Sequence, residues 1–178
     1  MAEASDLITP EIRSWIGRKT NSTPLLVMTA SDVRRYMDAT GDRNPLWHDD
    51  GYARAAGYKG RILPPTLVGW MPFSIRENPD GSSAEAPDLR RQVPLPKNFT
   101  NVRNAGSETE WLEAVYPGEQ LSTRSTLVDI VVRQGRAGAG FYITQEEQIL
   151  NSDGAIVMRR RHTMAIFAET KLAEAAKE

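Results

Sequence analysis

Apolar and polar residues alternate in two different rhythms along this chain. In the first half the apolar positions recur at helical spacing in short bursts. In "SDVRRYMDATG" Val33, Tyr36 and Met37 fall on one face, and the pattern predicts a helix with Ser31 as its cap and Gly41 as its stop. "TPEIRSWIG" predicts an earlier helix, with Thr9 as cap, Pro10 in its first turn and Gly17 as terminator. "DDGYARAAGYKG" predicts a short helix ending at Gly57. "LPPTLVGWMPF" is apolar on most sides, which places it in a buried setting, with Pro65 near its start and Leu67, Val68, Trp70 and Met71 along it. Between the helices, "PLLVMTA" reads as a short apolar strand.

From Gln92 onward the rhythm changes to a period of two. "RQVPLPKNFTNVRN" suits an edge strand because its two prolines cannot donate to a ladder. "TEWLEAVY" alternates up to the turn "PGEQ". "LSTRSTLVDIVVRQ" is a long strand, with Val128, Ile130 and Val132 on one face and Leu121, Leu127 and Val131 on the other. "GRAGAG" turns the chain, and "FYITQEEQILN" brings Phe141, Ile143 and Ile149 into phase. "NSDG" is a second turn of the Asp-Gly kind. The last strand is "AIVMRRRHTMAIF", with Ile156, Met158, Met164 and Ile166 on one side. Helices first and an antiparallel meander after them predict an α+β fold: a curved antiparallel sheet wrapped around the apolar helix of "LPPTLVGWMPF". The organisation expected is an N-terminal arm over 1–23, one domain over 24–168 and a tail over 169–178. "RENPDGSSAEAPDLRR" reads as a surface loop or a lid.

Composition narrows the chemistry. The chain has 178 residues, 40% hydrophobic and 25% charged, in the range of an ordinary globular domain. It has no Cys and two His, which excludes disulfides, thiolate zinc sites and a cysteine nucleophile, and argues against a multi-His metal centre. A net charge of -1 gives no overall attraction to nucleic acid or to an anionic membrane. No apolar run reaches the ~18 residues of a membrane span, and the acidic start lacks the apolar core of a signal peptide, so a cytoplasmic setting is expected.

The densest chemistry is in "TGDRNPLWHDD", where Asp42, Asn44, Pro45, His48, Asp49 and Asp50 surround Trp47. "GDRNPLWHDDGYARAAGYKGRILPPTL" resembles the signature of the MaoC-like hydratases and dehydratases. "AGSETEWLEAVYPGEQLSTRSTLVDI" resembles their mid-chain segment, in which a P-G-[DE] turn precedes the long strand. The likeness spans roughly 25–168 and is nearest to the N-terminal, non-catalytic dehydratase group. It implies a single hot-dog fold. It also implies addition of water to a trans-2-enoyl thioester, or its removal from an (R)-3-hydroxyacyl thioester, with coenzyme A or acyl carrier protein as the carrier and no further cofactor or metal. In that family an Asp and a His five residues apart hold the water. Two backbone N–H groups, one of them from a Gly at the start of the central helix, receive the charge on the thioester oxygen.

Carried over residue by residue, the resemblance sets Asp42 on the catalytic Asp, and Asn44 and Pro45 on the pair that shapes the loop. The position five residues on holds Trp47; His48 stands one place later, on the opposite side of an extended chain. The His-Gly pair falls on Pro64 and Pro65, and Pro65 has no N–H to offer an oxyanion. Asp42 therefore has two readings, a surviving acid or base and a loop acceptor for nearby N–H groups. Trp47 reads as packing, in the core or beside an acyl tunnel. Trp70 and Met71 are candidates to line an acyl pocket, against the plainer reading as core. Arg159 and Arg161 share one strand face and are candidates for the phosphates of coenzyme A, against the plainer reading as a charged edge; Lys59 and Arg61 carry a similar hint. The resemblance implies a second MaoC-like chain, or a second copy of this one, as the partner. Three readings stay open here: the degenerate half of a hydratase that shapes the acyl pocket, a homodimer using Asp42 and His48, and a non-catalytic thioester-binding subunit.

Overall fold

Long β-branched and aromatic runs at period two make four strands here: β2 (Phe99–Trp111), β3 (Ser122–Gly135), β4 (Gly138–Leu150) and β5 (Ile156–Ala168). A two-residue β1 (Thr23–Pro24) completes one antiparallel sheet in the order β1-β3-β4-β5-β2. The computed structural model describes residues 7–21, 23–73, 88–135 and 138–169. The expected helical tail and the tip of the "GRAGAG" turn lie outside these, as does most of "RENPDGSSAEAPDLRR". The architecture is the curved sheet of a hot-dog fold, class α+β. Among the described residues no helix is long and apolar enough to cross a membrane.

Several sequence expectations need correction. The strands are not a plain meander: β3, β4 and β5 follow one another, but β2 crosses the molecule and pairs with β5. The crossing segment, 112–121, carries the second half of "TEWLEAVY" as coil and buries Val115. The edge strand begins at Phe99, so Pro94 and Pro96 precede it. "PLLVMTA" is not a strand beyond β1: Leu25 is buried, while Leu26 and Val27 are exposed. In β3 a bulge between Leu127 and Asp129 adds one residue, so Leu127 and Ile130 lie on the same buried face.

The helices are short. α1 (Pro10–Arg13) is capped by Thr9 and drops Ile12 into the core, while the chain after it bonds to β3 through Gly17 N–H to the Leu127 carbonyl. α2 (Ala30–Thr40) is capped by Thr29, not Ser31; Thr29 and Asp32 form a reciprocal capping box, and Gly41 ends the helix at φ 73°. α3 (Asp50–Ala55) is capped by Asp49. α4 (Pro65–Trp70), at the place of the central apolar helix, is six residues long and continues as a 3₁₀ turn, Met71–Phe73.

The inner face of the sheet holds two apolar clusters. One gathers Val33 and Met37 of α2, Trp47, Val68, Met71, Ile149 and Met158; the other gathers Ile12, Leu89, Leu127, Phe141, Ile143 and Met164. Between them the same alternate positions are polar: Thr123 and Ser125 on β3, Gln145 and Glu147 on β4, Arg160 and His162 on β5. Thr123 and Ser125 are almost fully buried. The Arg160 guanidinium pairs with Glu147 and donates to the Gly69 carbonyl at 3.0 Å, which fastens the last turn of α4 to β5. Gln145 accepts from Leu89 N–H at 3.0 Å. Among the described residues no buried side-chain N or O atom of this belt is left without a hydrogen-bond partner.

Candidate functional site

The loop after α2 is built by its own side chains. Gly41 takes the left-handed conformation that turns the chain out of α2. Asp42 Oδ1 then accepts the Asn44 N–H at 3.1 Å, and Asn44 Oδ1 accepts the Leu46 N–H at 3.1 Å. Pro45 opens a 3₁₀ turn, Pro45–Trp47, for which Asn44 is the cap. The turn swings the Trp47 ring inward, where only 8% of the residue stays exposed, and its indole N–H donates to Asp42 Oδ2 at 3.0 Å. Both carboxylate oxygens of Asp42 are thus occupied by donors within the loop.

His48 does not join this arrangement. It is exposed, and its Nε2 lies 3.4 Å from the Arg43 carbonyl. Asp42 and His48 stand apart: the side chain against the carboxylate is Trp47. The cause is the 3₁₀ turn, which places the side chain five positions on, not six, over Asp42. An indole nitrogen carries its lone pair in the π system, so Trp47 can donate a hydrogen bond but cannot relay a proton.

The start of α4 is equally unsuited to an oxyanion. Pro64 is its N-cap with no side-chain hydrogen bond, and Pro65, which lacks an N–H, is the first helical residue. The Pro65 carbonyl accepts the Trp111 indole N–H at 3.0 Å, and the Tyr36 and Thr66 hydroxyls are hydrogen-bonded, so α2 and β2 hold this end of α4.

The two residues expected at an acyl pocket separate. Met71 is fully buried in the cluster around Trp47, whereas Trp70 is 70% exposed. α4 is too short and too lightly covered to bury its whole circumference, so the reading of Trp70 as buried core is corrected. Arg159 and Arg161 are both ion-paired. Strand register sets acids beside both, and Arg159 pairs with Glu110 at 3.1 Å and Arg161 with Glu146 at 3.0 Å. They form an ion-pair ladder on the outer face, with one carboxylate hydrogen bond to each guanidinium.

The larger basic feature is one that sequence reading missed. A cleft of about 530 Å³ lies between α2 and the 41–48 loop, backed by Val33, Met37 and Trp47 and rimmed by Arg34, Arg43, Arg61 and His48. Arg61, a candidate for phosphate contact by sequence, lines this cleft together with Arg34 and Arg43, which the sequence does not single out. Nothing in a helical periodicity shows that the exposed Arg34 will face a loop arginine nine residues later.

A shifted titration adjoins the polar belt. Burial, with the Arg90 and Arg160 guanidiniums beside it, holds the His162 imidazole below its ordinary value, against a smaller opposing effect of Asp88. Its Nε2 lies 3.1 Å from Asn104 Oδ1.

Comparison with known proteins bears on this geometry. The model of the "FAS1-like, dehydratase domain region" family matches residues 14–160. An alpha subunit of Mycobacterium tuberculosis named 3-oxo-4,17-pregnadiene-20-carboxyl-CoA hydratase is 30% identical over 125 residues, 64% of this chain and 36% of its own length. A Thermomonospora curvata protein named "Probable enoyl-CoA hydratase alpha subunit" is 24% identical over 169 residues, 90% of this chain and 52% of its own length. This chain thus spans about a third and about half of these two relatives. Among solved structures, the ChsH1-ChsH2 complex from M. tuberculosis contains a chain that superposes with a TM-score of 0.71 at 22% identity, over 95% of this chain and 93% of that one, a likeness of fold. The chain belongs to the FAS1-like dehydratase domain family, within the MaoC-like hot-dog proteins.

Proposed function

We propose that this chain is one subunit of an (R)-specific enoyl-thioester hydratase or 3-hydroxyacyl-thioester dehydratase. It shapes the acyl pocket beside a second hot-dog chain that carries the complete Asp-His pair. The observation that carries the reading is the Trp47 indole on the Asp42 carboxylate, at 3.0 Å, where a proton-transferring imidazole would be needed. Such a transfer contributes about 10²–10⁴ in rate. A lost oxyanion donor, as at Pro65, costs about 10²–10³. A chain short of both keeps the frame of the fold without the machinery for turnover.

Support for a partner comes from three directions. Two relatives carry the name alpha subunit, and the superposed structure is a two-protein complex. β2 is the sheet's edge, exposed along most of its length, with Trp111 and Leu112 exposed at its end and Trp70 on the adjoining α4. An open edge of this length is a surface that proteins ordinarily cover. The substrate is an acyl thioester, and no other cofactor is called for. A bulky acyl group is favoured by the short α4 and by the steroid-type substrate named for the Mycobacterium relative. The setting is cytoplasmic, where thioester metabolism runs.

The test is hydration of enoyl-CoA substrates, from crotonyl-CoA to bulky ones, by the pure chain and by the chain with a MaoC-like companion bearing G-D-x-N-P-x-H. We expect turnover only in the mixture, and no effect of His48→Ala on it beyond about twofold. Turnover by the pure chain, lost by several orders of magnitude in His48→Ala, would instead establish a self-sufficient homodimer. Binding without turnover in either case would leave only a thioester-binding subunit.

A further inference from the structure

We propose that the cleft between α2 and the 41–48 loop binds the phosphorylated nucleotide end of a coenzyme A thioester, with Arg34 and Arg43 as its phosphate ligands. The inference rests on the functional reading above for the identity of the carrier, and adds where the carrier's phosphates sit. At about 530 Å³ the cleft falls within the range of small-ligand sites. Its walls differ in character: Val33, Met37 and Trp47 form an apolar back, and arginines line the mouth.

The charges at that mouth are unbalanced. A single carboxylate, Asp38, serves both Arg34 at 4.0 Å and Arg43 at 3.2 Å. Arg61 pairs with Asp50 at 3.3 Å, and that carboxylate also accepts the Arg61 backbone N–H at 2.9 Å. Three guanidiniums thus face two carboxylates, in a chain whose net charge is -1. The Arg34 and Arg43 side chains are 86% and 66% exposed, so each can turn part of its fork to an incoming phosphate without losing buried packing. The Arg159–Arg161 face offers no such surplus, because Glu108, Glu110 and Glu146 stand against it. The cleft is built entirely from one chain, so binding does not require the partner.

Titration calorimetry of the full chain with coenzyme A, dephospho-coenzyme A and pantetheine tests this. Coenzyme A should bind most tightly, pantetheine weakest, and the difference should shrink with rising salt. Arg34→Glu and Arg43→Glu should each weaken coenzyme A at least about tenfold, with pantetheine unaffected. Arg43→Ala, which introduces no new charge, should show a smaller loss, and thermal melts confirm folding. Equal affinity for coenzyme A and pantetheine, no binding of coenzyme A, or unchanged affinity in both Glu variants would overturn the proposal. The hydration assay separates the two readings: turnover by the mixture with unaltered affinity in the Glu variants defeats the cleft alone, while cleft binding without turnover defeats the hydratase reading alone.

Discussion

Trp47 is the residue on which the local arrangement turns. Its ring fills the core cluster, and its one polar atom satisfies a part-buried carboxylate. Trp47→Phe keeps most of the packing and removes that donor. A hydrogen bond to a charged acceptor is worth about 1.5–3 kcal/mol, so urea denaturation should show a loss of that size; a change below about 0.5 kcal/mol would mean that Asp42 finds water instead. His162 is the other residue with a readable consequence. Its folded-state value is depressed, so the unfolded chain takes up a proton first as pH falls. Its contribution to stability is complete above the unfolded value of about 6.5 and is lost as pH drops from there toward the folded value. His162→Asn should therefore flatten the pH dependence of the urea midpoint between about pH 7.5 and 5.5. The lowered aspartates Asp32, Asp50 and Asp88 act on the more acid side of that window, because their ordinary value is already 3.8.

Among the elements, α4 and the belt beneath it are coupled. The pair Arg160–Glu147 is largely buried, with side-chain exposures of 14% and 13%, and the same arginine holds the Gly69 carbonyl. Removing one member of such a pair strands the other away from water. Glu147→Ala should cost about 3–5 kcal/mol, visible as a large fall in melting temperature. Replacing both members with apolar residues of similar volume should recover most of it, since two desolvation penalties vanish together. If the single change proves nearly neutral, the belt is wetter than its exposure indicates. At the other end of the helix, Trp111→Phe removes the bond from β2 to the Pro65 carbonyl and should cost about 1 kcal/mol.

For the molecule as a whole, β2 and Trp70 are the exposed features on which the proposed pairing is tested. An edge of thirteen residues flanked by exposed Trp70, Trp111 and Leu112 favours association. Mixing with a MaoC-like companion should give a stable complex on size exclusion. Trp70→Glu together with Val102→Lys, an exposed edge position, should abolish that complex while leaving the monomer's melting temperature within a few degrees. An intact complex in that variant would place the interface elsewhere.

Much of this was legible in one dimension. Alternation in "FYITQEEQILN" and "AIVMRRRHTMAIF" is a local property of the strand, since side chains must alternate faces, and it located β4, β5 and their buried residues. The polar belt was legible too, though sequence reading passed over it: Gln145 and Glu147 interrupt one apolar series, Arg160 and His162 the other, and the "NSDG" hairpin sets them opposite each other. Absence of an N–H at Pro65 needed no structure, because it is covalent chemistry. Other features depended on the fold. The bulge after Leu127, the crossing that carries β2 to β5, and the exposure of Trp70 arise from contacts between segments distant in sequence. So does the cleft that gathers Arg34, Arg43 and Arg61. The sequence alone determined which groups this chain possesses and which it lacks. Only tertiary packing decided that Asp42 would face an indole and that the arginines of α2 and its loop would share one mouth, because long-range burial, not local spacing, sets which side chains meet.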